Sequence, residues 1–87
     1  MHEASLMSDL MRKILSVADD ESSVSVAVVR VWLGALSHMS PEHFREHYEI
    51  AAKGTIAENA ALQVDTSTDI HDPRAQEIVL LNIEVET

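Results

Sequence analysis

Apolar residues recur at Met7, Leu10, Met11, Ile14, Leu15 and Ala18, the three-and-four spacing of one helix face, and predict a first helix over residues 4–17 or slightly beyond. The polar run Asp19, Asp20, Glu21, Ser22 and Ser23 interrupts that pattern with turn-forming side chains. A β-branched stretch follows and predicts a strand over residues 24–33. Simple alternation sets Ala27, Val29, Val31 and Leu33 on one face and Val26, Val28, Arg30 and Trp32 on the other. Ser40 and Pro41 then mark a helix start, one as N-cap acceptor and the other at a position that needs no N–H donor. That second helix turns Phe44, Tyr48 and Ala51 or Ala52 inward, and Gly54 is suited to close it in the left-handed conformation. A short strand over residues 60–65 carries Leu62 and Val64, and residues 66–76 form a polar turn around Asp72 and Pro73. The last strand, residues 78–86, alternates in two phases, Ile78 and Leu80 and then Ile83 and Val85, which a bulge near Asn82 reconciles.

The order α-β-α-β-β predicts an α+β fold in which two helices cover one face of a three-stranded sheet. With 87 residues, a single domain over 1–87 is expected, near the lower size limit for a self-sufficient core. The only aromatic residues are Trp32, Phe44 and Tyr48, so the core is aliphatic, with Leu10, Ile14, Val29, Val31, Leu62 and Val85 at its centre.

Composition narrows the chemistry. There is no cysteine, which excludes disulfides and thiolate metal sites and leaves nitrogen and oxygen as the available metal donors. The net charge of −9 and the scattered Lys and Arg residues argue against nucleic-acid binding. Without a basic leader or a long apolar run, no membrane association is expected and the protein reads as cytoplasmic. Neither a phosphate-binding glycine loop nor a marked nucleophile is present, so an enzyme is not expected.

Met1-His2-Glu3 is the sharpest chemical feature. A free amine, the deprotonated amide nitrogen of His2 and its imidazole can close adjacent chelate rings on Ni(II) or Cu(II). A fourth donor is open: the Glu3 amide nitrogen, its carboxylate, or a residue from elsewhere. Met1-His2-Glu3 with Ser5-Leu6, then Gly34-x-Leu36-Ser37, Pro41-Glu42, Gly54-Thr55 and the closing Ile83-Glu84-Val85-Glu86 resembles the HypA/HybF family of hydrogenase-maturation metallochaperones along nearly the whole chain.

That resemblance implies that Met1, His2 and Glu3 are nickel ligands and that Ni(II) is the cargo. It implies partners too, a maturation GTPase of the HypB type or a nickel-enzyme precursor. The family carries a zinc module of paired CxxC motifs between the last two strands matched here, where this chain has only residues 66–76, so no zinc is expected. An adaptor that docks on a maturation GTPase or hydrogenase precursor without carrying metal is the alternative.

Among the other histidines, His43 and His47 stand i, i+4 on one helix face, a spacing that can chelate a second metal; with Glu42, Glu46 and Glu49 nearby, a solvated polar face is the other reading. His38 and His71 lie in loops, and His71 is a further candidate ligand. Trp32, with Val28 beside it, points away from the helices and offers an interface, for a partner or a homodimer, unless a loop folds over it.

Overall fold

The structure, a computed structural model, describes residues 3–87, with side chains from residue 5 onward. The elements are α1 (Glu3–Asp20), β1 (Ser25–Leu33), α2 (Pro41–Ala52), β2 (Ala61–Thr66) and β3 (Ile78–Glu86). They match the expected order and the α+β class. The sheet order is β2-β1-β3, with β1 parallel to β2 and antiparallel to β3.

Connectivity sets the direction of each helix. α1 turns into β1 through residues 21–24, and α2 carries the chain from the end of β1 back to the start of the parallel strand β2. Both helices therefore run against β1, and both begin at the end of the layer where β1 stops.

Ile14, Val29, Val31, Phe44 and Ala52 are fully buried between helices and sheet, with Leu10, Met7, Met11, Leu33 and Tyr48 around them. Burying each large side chain contributes roughly 1.5–3 kcal/mol. Leu62 is buried, and Val85 packs against the core half-buried.

Local differences from the sequence reading have identifiable causes. In β1 the register skips Ala27, since Val26 pairs with Val85 and Val28 with Glu84. That extra residue reverses the parity, so Val26 joins Val29, Val31 and Leu33 in the core while Ala27 is only half-buried. In β3 the register skips Leu81, beside the expected Asn82, and both apolar phases, Ile78 and Leu80 and then Ile83 and Val85, pack on the core.

Helix α1 continues to Asp20 because Ala18 is fully buried and Ser22, at φ 52, closes the helix without a glycine. The Ser23 amide donates to the Ala18 carbonyl there at 3.0 Å. Helix α2 is capped as expected: Ser40 Oγ accepts from the His43 amide at 3.1 Å, and Gly54 takes φ 82. Phe44, Tyr48 and Ala52 are its buried stripe.

Candidate metal centre

The end of the layer where β1 stops is assembled on Gly34. Its amide donates to the Glu77 carbonyl at 2.9 Å, the Leu36 amide to the Ala75 carbonyl at 2.7 Å, and the Ser67 amide to the Leu33 carbonyl at 3.0 Å. The loop over residues 67–77 thus lies directly on residues 33–36. A Cβ on Gly34 would stand 2.2 Å from the Ala75 carbonyl oxygen and 2.5 Å from its carbon, so only glycine admits this approach. The loop also braces itself, Asp69 Oδ1 accepting from the His71 amide at 2.9 Å and Asp72 Oδ1 from the Arg74 amide at 2.7 Å.

Most of the described histidines lie towards that base. His38 follows Gly34 in the β1–α2 loop, exposed and held at φ 59, a conformation uncommon outside glycine. It borders a concavity of about 560 Å³ with Leu6 of α1 and with Gln76, Glu77 and Ile78 at the entry to β3. His43 lies in the first turn of α2, which begins at this end, and His47 one turn further along, near the middle of the helix. Their Nε2 atoms are 2.8 Å apart. His71 is in the loop joining Thr66 to Ile78, both register partners of Leu33. His38, His43 and His71 therefore lie towards one end of the fold and His47 midway along α2, while the fifth histidine, His2, directly precedes the first residue of α1 in sequence.

The expected ligands Met1 and His2 lie outside the described residues, and Glu3 is described only as the start of α1. Among the described residues no cluster of three or more His, Asp or Glu side chains is poised to hold a metal. The structure brings His43 and His47 together but does not bring His38 or His71 into contact with them.

Trp32 and Val28 do point away from the helices, and both are half-buried. Beside Trp32, Asp72 and Arg74 of the loop and Val79 and Leu81 of β3 line a depression of about 260 Å³, so the loop partly flanks the indole. Between the two apolar residues stands a polar group the sequence reading missed. Arg30 Nε donates to Gln63 Oε1 at 3.0 Å and Nη1 to Asn82 Oδ1 at 2.8 Å, while Nη2 donates to Glu84 Oε2. The signal was present in the residue types, but only the sheet order and register make Gln63 and Asn82 cross-strand neighbours of Arg30. Far from this face, burial pushes the Tyr48 hydroxyl above its ordinary value, and it donates to the Ala57 carbonyl at 3.0 Å. No helix among the described residues is long and apolar enough to cross a membrane.

Comparison with known proteins bears on this end of the molecule. The family described as "Hydrogenase/urease nickel incorporation, metallochaperone, hypA" matches residues 1–71. The chain is 38% identical over 64 residues to the hydrogenase maturation factor HypA of Archaeoglobus fulgidus, covering 74% of this chain and 58% of that protein. It is 34% identical over 65 residues to the HypA of Rhizobium leguminosarum, covering 75% of this chain and again 58% of the relative. The match thus spans little more than half the length of these relatives. In fold it is similar to the solution structure of the Ni metallochaperone HypA from Helicobacter pylori, with a TM-score of 0.81 at 18% identity over 99% of this chain and 98% of that one.

Proposed function

The chain belongs to the HypA family of hydrogenase/urease nickel-incorporation metallochaperones, and on that premise we propose that it is a nickel carrier that delivers Ni(II) during maturation of a nickel enzyme such as [NiFe]-hydrogenase. It binds and releases a cation and turns over no substrate. The observation that carries this reading is the family match over residues 1–71, which takes in Met1, His2 and Glu3, in a chain that has no cysteine thiolate to offer a metal. The amine of Met1, the amide nitrogen and imidazole of His2 and a donor from Glu3 form the nickel site. An acidic surface of net charge −9 favours approach of a cation.

The loop over residues 67–77 stands where the family carries its zinc module, and the domain needs no zinc to fold. Its bracing against Gly34 and Leu36 supports that part of the reading. The protein acts in the cytoplasm, where it hands its cargo to a maturation GTPase of the HypB type or to the enzyme precursor. Contact with the partner, or with a second copy, uses the outer sheet face at Trp32 and Val28, whose half-exposed apolar surface favours it.

The test is a nickel titration of untagged protein beside a version extended by Gly-Ser before Met1. The extension should remove tight binding because it converts the amine into an amide; equal affinities would refute the N-terminal chelate. Since the amine, amide and imidazole must all be free of protons, affinity in the untagged protein should fall steeply from about pH 7.5 to about pH 6.

A further inference from the structure

Helix α2 presents two imidazoles on a fixed frame. Phe44, Tyr48 and Ala52 anchor it in the core, and the His43 amide is itself engaged by the Ser40 cap. His43 and His47 lie one turn apart on one face, their rings 10° from parallel with centroids 4.7 Å apart and their Nε2 atoms 2.8 Å apart. A divalent cation bonded to two imidazole nitrogens at about 2.0–2.1 Å, with a right angle between the bonds, requires those nitrogens to be roughly 2.9 Å apart. The pair already has that spacing. At this distance without a cation, one Nε2–H donates to the other Nε2. With a cation, the donor ring shifts its proton to Nδ1 and both Nε2 lone pairs become ligands.

We propose that His43 and His47 together form a bidentate site for a borderline divalent cation of the nickel, copper or zinc class, one that binds even when the N-terminal chelate is disabled. Exposed Glu42 and Glu46 on the same helix add negative charge around it. The pair supplies part of a coordination shell that water or an incoming donor can complete, which suits an exchangeable site rather than a structural one. Its placement beside α1 suits an exchangeable site. The two helices start at the same end, and His47 shares a small cavity with Met7 and Ser8 of α1. An exchange role rests on the nickel-carrier reading; binding by the pair does not.

The experiment uses the Gly-Ser-extended protein, whose N-terminal chelate is disabled, titrated with Ni(II) and, by NMR, with Cu(II). It should retain one weaker site, and substoichiometric Cu(II) should broaden the His43 and His47 ring signals before those of His38 and His71. The same extended protein carrying His43→Gln and His47→Gln, with its fold checked by circular dichroism, should lose the residual site. No binding to the extended protein, or residual binding unchanged by the two substitutions, would overturn the proposal. A failure of the N-terminal reading looks different: tight nickel binding would survive both the extension and the double substitution.

Discussion

At the end of the layer where β1 begins, several polar groups are engaged inside the fold, although Ser23 Oγ is buried without a hydrogen-bond partner. Tyr48 donates to the Ala57 carbonyl, Thr55 Oγ1 donates to the Ala52 carbonyl at 2.7 Å, and the Val26 amide donates to the Ile56 carbonyl at 2.9 Å. At the end where β1 stops, backbone contacts through Gly34 do the holding, and His38, His43 and His71 are exposed there, while His47 is half-buried midway along α2. One end is built from side chains that the fold needs. At the other, the fold is held by the backbone. The difference is what a domain that carries a labile metal without depending on it for stability would require.

Substitutions should separate the two ends. The largest loss is expected from Gly34→Ala, because the added Cβ meets backbone atoms of Ala75 and Arg74 that cannot rotate away. About 3 kcal/mol is expected from such overpacking, read as a lowered midpoint in urea unfolding. Tyr48→Phe should cost about 1–2 kcal/mol by leaving the Ala57 carbonyl without its donor. Its pH dependence is a second readout. Burial raises the Tyr48 pKa above 10.0, so at higher pH the unfolded chain loses a proton that the folded chain still holds. Stability fully present below that pH should therefore decline as the pH rises through the folded value, and in Tyr48→Phe this part of the decline should vanish.

A smaller effect tests the outer face. Arg30→Met should cost about 1 kcal/mol, because the three partners of Arg30 sit on a partly solvated surface and can turn to water. The smallest is expected from His43→Gln with His47→Gln, within about 0.5 kcal/mol of the parent in thermal unfolding, since His43 is exposed and His47 lies outside the buried stripe of α2. A large loss there would erase the contrast between the two ends and identify the pair as structural.

Much of this arrangement was legible in the sequence, and what was not has physical reasons. Periodicity revealed all five elements, and the Ser40–Pro41 and Gly54 signals marked both ends of α2, because capping chemistry is local. The two phases of β3 revealed its bulge, since both phases are strongly apolar. The bulge at Ala27 was hidden: Val26, Ala27 and Val28 are all apolar, and alternation cannot report a parity change among them. Sheet order was not readable either, and with it went the Arg30 cluster, whose partners are 33, 52 and 54 residues away along the chain. The i, i+4 relation of His43 and His47 was plain from spacing, while the distance between their ring nitrogens came only with side-chain rotamers. The nearness of His38, His43 and His71 to one end depends on where the loops and the start of α2 fall around β1, a property of connectivity rather than of any local motif.

The central claim is that the metal donors stand apart from a scaffold that folds without them, and thermal unfolding of the parent and His2→Ala proteins, each in chelator and then with increasing nickel, tests it most directly. In chelator the two should melt cooperatively at the same temperature. Nickel should raise the parent's midpoint progressively at concentrations above the dissociation constant, by linkage, and raise that of His2→Ala much less. A parent protein that loses its fold in chelator, or a His2→Ala protein that melts well below the parent without any metal, would contradict the account.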